Sequence, residues 1–138
     1  LSEQGKHDPL DQEIRAATGT GGVSTLFESG PLRDFGDSLV VSVQLDEAHP
    51  LVSLVAMIAP SPDWFTGVSN LNLVENGGWV PSKSLTLYAY DSGGDDGTTY
   101  KADDQDTDPK KPTSRAMTRH FVAGGAPVPV ATLTLTRK

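Results

Sequence analysis

The segment Asp91-Ser92-Gly93-Gly94-Asp95-Asp96-Gly97 sets three carboxylates among three glycines within seven residues. Calcium takes six to eight hard oxygen ligands at about 2.3–2.6 Å, and a loop of near-alternate Asp and Gly supplies them from side chains and backbone carbonyls. The same residue types also build plain turns, because Asp and Ser side chains bond nearby backbone and Gly accepts positive φ. Composition alone therefore leaves both readings open. An EF-hand is excluded: counted from Asp91, position three is Gly93, position six is Asp96 rather than Gly, and position twelve is Ala102 rather than Glu.

Other chemistries find less support. His7, His49 and His120 carry no His-Glu-x-x-His spacing, and no Gly-x-Ser-x-Gly elbow is present. Thr18-Gly19-Thr20-Gly21-Gly22 lacks the Lys-Ser/Thr ending of a phosphate loop and reads as a turn. The absence of cysteine removes thiolate catalysis and thiolate metal sites, and leaves the redox compartment undecided. A formal net charge of -7 argues against nucleic acid and anionic lipid as direct partners, since both reward clustered Lys and Arg. An anionic partner reached through a bound divalent cation stays compatible with that charge. The longest apolar run, from Leu51 to Pro60, is too short to span a bilayer, so no transmembrane segment is expected. Leu1-Ser2-Glu3-Gln4-Gly5 has neither part of a signal peptide.

The elements that position the loop read mostly as strands. With 14 Gly and 10 Pro and apolar residues in short runs, the chain is written as strands and turns, and 138 residues suit one domain, taken as 1–138. Asp8-Pro9 starts a short helix carrying Leu10, Ile14 and Ala17 on one face before Gly19. Residues 39–45 alternate, with Leu39, Val41, Val43 and Leu45 on one side, as in a half-buried strand. Residues 51–59 are apolar on both faces, which predicts a strand in the middle of a sheet delivering Ser61-Pro62-Asp63-Trp64 to one end. Asn76-Gly77-Gly78 reads as the turn of a meander. Residues 85–90 form a clean strand running into Asp91, and residues 131–135 alternate against a threonine face. Between Lys101 and Ser114 the chain is nearly all polar and is given no role.

Three blocks in order carry a family resemblance: Ala59-Pro60-Ser61-Pro62-Asp63-Trp64-Phe65-Thr66-Gly67, then Asn76-Gly77-Gly78-Trp79-Val80, then Leu87-Tyr88-Ala89-Tyr90 leading into the acidic loop. Together they resemble the spondin N-terminal domain family. The resemblance implies a mainly-β, antiparallel C2-like sandwich, secreted, non-enzymatic, with Ca²⁺ at one end. It also implies attachment to extracellular matrix, a cell surface or a glycan. Carried over by position, Asp63, Asp91 and Asp95 are the metal-binding acids, and Asp96 is added as a variable ligand. The family's Ala-Gly-Thr is Ser92-Gly93-Gly94 here, and the cysteines of animal members are absent. Leu1-Ser2-Glu3-Gln4-Gly5 resembles an interior family segment, which places the family's first strands upstream and leaves a sheet edge open to a partner strand. Two rival readings are a structural domain that calcium merely stabilises and a metal-dependent hydrolase using the same aspartates.

Overall fold

The computed structural model describes residues 6–34 and 36–138, which divide into two compact units, 7–50 and, with Lys6, 51–138. Leu1-Ser2-Glu3-Gln4-Gly5, where the sequence suggests an interior family segment, lies outside the described residues.

Unit 51–138 holds the sheet. Its strands are β1 (Leu51–Met57), β2 (Trp64–Asn72), β3 (Val74–Glu75), β4 (Gly78–Trp79), β5 (Ser82–Asp91), β6 (Ser114–Arg115), β7 (Val122–Ala123), β8 (Ala126–Pro127) and β9 (Pro129–Thr136). The main sheet runs β1-β2-β5-β6, with β9 also on β5, and every pairing is antiparallel. Two small hairpins, β3-β4 and β7-β8, complete the set. The first turns on Asn76 and Gly77, both at positive φ (52° and 78°), the backbone that a tight two-residue hairpin demands and that Asn-Gly supplies. The class is the mainly-β, antiparallel, sandwich-type one, with one short helix.

The core sits on one face of β2 and β5. Trp64 is fully buried and packs with Ala89, Ala116 and Phe121, with Ile58 and Tyr100 against the cluster. Its ring meets Phe121 edge-on at 4.9 Å and Tyr100 at 5.4 Å, separations at which aromatic quadrupoles attract. At Gly67 the strands approach so closely that an added Cβ would lie 2.1 Å from the Leu54 carbonyl oxygen.

The structure corrects the reading of residues 51–59. β1 is an edge strand rather than a central one, and Leu51, Leu54 and Val55 are exposed. Its apolar run records affinity for a covered position, whereas the number of neighbours is set by residues far away in the chain. Among the described residues β1 has β2 alone beside it.

Unit 7–50 is built differently. The helix α1 (Leu10–Gly19) follows Pro9 with no side-chain cap and buries no residue, although Asp11 and Glu13 in its first turn suit the positive end of its dipole. Residues 39–45 form no strand, contrary to their alternation, and Val40 is 86% exposed. A strand needs a partner strand's ladder as well as an apolar face, and among the described residues no ladder forms there. His49 organises the end of this unit: its ring nitrogens lie 2.9 Å from Asp46 Oδ1 and 3.0 Å from the Gly21 carbonyl. Those two acceptors raise the His49 pKa, the Gly21 carbonyl most, while the His49 hydrogen bond lowers that of Asp46.

Candidate functional site

The register of the sheet brings the distant acids together. Trp64, first residue of β2, pairs with Asp91, last residue of β5, so Asp63 lies against the start of the acidic loop. The Asp63 side chain is buried at 1% exposure. Its Oδ2 accepts three hydrogen bonds, from Ser92 Oγ at 2.8 Å and from the backbone amides of Gly94 at 2.6 Å and Asp95 at 3.1 Å. Its Oδ1 is equally buried and has no hydrogen-bond partner. Burying a carboxylate oxygen without a partner costs several kcal/mol unless something meets it, by the order of magnitude of charged-group desolvation.

Asp91 stands beside this group. Its Oδ1 accepts the Gly93 amide at 2.9 Å. Burial raises its pKa, and the neighbouring Asp63 charge raises it further, against weaker lowering by Gly93 and Lys111. Two carboxylates that burden each other electrostatically, one with an unmet buried oxygen, form a donor set that a divalent cation fits. Asp95 is buried at 3% exposure, and both its oxygens serve the backbone, Oδ1 taking the Gly97 amide at 2.6 Å and Oδ2 the Gln105 amide at 2.8 Å. Asp96 faces elsewhere, since its exposed carboxylate pairs with Lys111, which lowers its pKa.

The three aspartates carried over by position thus gather at one end of the sheet, with unequal roles. Among the described residues, the one trio of His or acid side chains offering ligand atoms within 4.8 Å of each other is His7, Asp11 and Glu28. One ion touching Asp63, Asp91 and Asp95 together therefore requires one of these side chains to rotate. Asp63 keeps one buried oxygen without a hydrogen-bond partner, whereas both oxygens of Asp95 tie the loop. The sequence signal for the His7 trio was the i,i+4 spacing of His7 and Asp11; His7 and Glu28 are exposed, and the Arg15 guanidinium already sits 2.7 Å from Glu28 Oε1.

The loop's support was missed in the sequence. The polar excursion closes over it: the Thr107 amide donates to the Gly94 carbonyl at 2.9 Å, the Lys111 amide to the Gly93 carbonyl at 2.8 Å, and the Asp96 amide to the Gln105 carbonyl at 2.9 Å. The carbonyls of Gly93 and Gly94, which the sequence offered as ligands, are thereby engaged. Glycine is required here by space as well as by φ. A Cβ at Gly93 (φ +81°) would lie 2.2 Å from the Lys111 carbonyl oxygen, and one at Gly97 2.5 Å from Pro62 Cγ. The only advance hint was the density of Asp in residues 103–108, whose side-chain pattern carries no period.

Antiparallel sheet, buried aspartate at a strand end and glycine-shaped acidic loop together define a mainly-β module with a charged loop site, and family comparison places it. The Spondin_N family matches residues 1–123, and the chain belongs to that family. It is 31% identical to human Spondin-2 over 147 residues, covering 99% of this chain and 44% of that protein. Against rat Spondin-2 the identity is 34% over 103 residues, 74% of this chain and 31% of the relative. Spondin-1 of Xenopus laevis is 33% identical over 104 residues, 67% of this chain and 12% of the relative. The chain thus spans less than half the length of these relatives.

Proposed function

We propose that the chain is a calcium-binding, non-enzymatic module for adhesion or recognition at an extracellular surface or matrix. Asp63, Asp91 and Asp95 are the acids at the ion. The observation that carries this reading is the Asp63 carboxylate, fully buried, with one oxygen held by three donors and the other met by none. Calcium would supply the missing positive charge, joining β2 to the loop after β5, and an open coordination position could take a carboxylate or hydroxyl of a matrix or glycan ligand. Kinship with the spondins supports the extracellular setting. A hydrolase would need a general base beside the ion; the groups at Asp63 are backbone amides and Ser92, all engaged as donors, which leaves only another aspartate such as Asp91, whose Oδ1 already accepts the Gly93 amide. The plainer alternative, an ion that only stabilises, shares the same residues.

Thermal unfolding tests the proposal. Calcium at about a hundred times its dissociation constant stabilises the folded chain by about 2.7 kcal/mol, a rise in melting temperature of several degrees that EDTA reverses. Identical melting with calcium and with EDTA overturns it. A matrix or glycan array then separates recognition from stabilisation.

A further inference from the structure

The face of the sheet opposite Trp64 carries a column of side chains that the calcium reading leaves unused. Along β5, Leu87 and Ala89 are buried on the core face, and Tyr88 and Tyr90 alternate onto the other. Phe65 of β2 pairs with Tyr90 in register, and Arg115 of β6 pairs with Tyr90 from the other side. The Phe65 and Tyr90 rings stack at 5.6 Å and 24°. The Arg115 guanidinium lies over both tyrosines, 4.4 Å from the Tyr90 ring centre and 4.7 Å from that of Tyr88. The order is therefore Phe65, Tyr90, Arg115, Tyr88.

This arrangement holds a cation without neutralising it. Among the described residues Arg115 has no carboxylate partner, and its Nη1 is buried with no hydrogen-bond acceptor. Asp91, next along β5, belongs to the opposite face by alternation. The other well-placed cations are already paired, Lys83 with Glu75 and Lys111 with Asp96. A guanidinium pinned between rings has lost little further entropy when an anion arrives, and its charge, partly removed from water, gains more from a carboxylate than an exposed Lys would.

We propose that Phe65, Tyr88, Tyr90 and Arg115 form a docking surface for a protein segment presenting one isolated carboxylate between apolar residues. The carboxylate bonds the Arg115 guanidinium through its nitrogens other than the enclosed Nη1, and the apolar neighbours cover the half-buried Phe65. Charge decides the occupant. The one cation of this cluster, on a chain of net charge -7, suits one carboxylate, whereas a sulfated glycan or other polyanion would be repelled by the surplus of acids. The surface uses none of the proposed ion ligands.

The test is an NMR titration of the parent chain with N-acetyl-Leu-Glu-Leu-amide, repeated with the Gln-centred peptide and with a heparin disaccharide, each with calcium and with EDTA. The expected result is saturable shifts of the Arg115 Nε–H and of the Tyr88 and Tyr90 ring signals by the Glu peptide. The Gln peptide should bind about tenfold or more weakly, as loss of a charge-assisted pair implies. Arg115→Lys should weaken the Glu peptide by a similar factor, because the ammonium lacks the planar fork. Tyr90→Phe keeps the stack and should retain the Arg115 response, so a fold defect in the Lys variant would not hide the answer. Equal binding of the Gln peptide, no saturable shift, or tighter binding of the heparin disaccharide overturns the proposal.

Discussion

Units 51–138 and 7–50 carry similar apolar patterns and use them differently. In 51–138 the aromatic cluster at Trp64 is sealed, and the sheet register then delivers Asp63 to Asp91. In 7–50 the helix buries nothing, residues 39–45 form no strand among the described residues, and Leu39, Val41 and Val43 are exposed. Alternation makes a face available for burial; the sealing comes from aromatic side chains brought in from Tyr100 and Phe121, well beyond the strand that carries Trp64. The site belongs to the unit where that happened.

The largest expected effect is on the sealed side. Trp64→Ala removes the fully buried ring packed against Tyr100, His120 and Phe121 and should destabilise unit 51–138 by about 3–5 kcal/mol. Denaturant unfolding measures it, and a loss below about 1 kcal/mol would erase the contrast between the units. Gly67→Ala should follow at about 2 kcal/mol or more, since its methyl meets a backbone oxygen that cannot rotate away. Hydrogen exchange should show the opening at β1 and β2 first.

The smallest effect lies in unit 7–50 and depends on pH. Both ring nitrogens of His49 face acceptors, so only the imidazolium donates to both. Its pKa is raised on folding, hence its stabilising contribution is complete below the unfolded value near 6.5 and fades as pH rises through the folded value. Asp46 has the opposite sign: its lowered pKa makes its contribution complete above 3.8 and lost as pH falls through the folded value. Amide exchange between Gly21 and His49 should be slowest in the mildly acidic window between these limits. Exchange that, corrected for its intrinsic pH dependence, ignores the His49 titration would show that the ring organises nothing.

These contrasts also explain what was legible in the sequence. The Asn76-Gly77 hairpin, β5 and β9 were readable because turn chemistry and period-two alternation are local properties. The gathering of Asp63, Asp91 and Asp95 at one end was readable through ordered motifs and a strand leading to each. The edge position of β1, the unstranded 39–45 and the closure of 105–111 over the loop were not, because each depends on which distant backbone groups are paired. Asp95 as the tie of the loop rests on the Gln105 amide, ten residues away and without a sequence mark.

The unmet oxygen of Asp63 is the proposed calcium ligand. Calorimetric titration of Ca²⁺ into EDTA-stripped parent chain and Asp63→Asn tests it most directly, with the variant's fold checked by its Trp64 environment. Asn preserves the shape but removes the charge, so the parent should bind one ion and the variant should bind it at least about tenfold more weakly, a difference of about 1.4 kcal/mol. Equal affinity in the two proteins, or no heat of binding in the parent, would contradict the account.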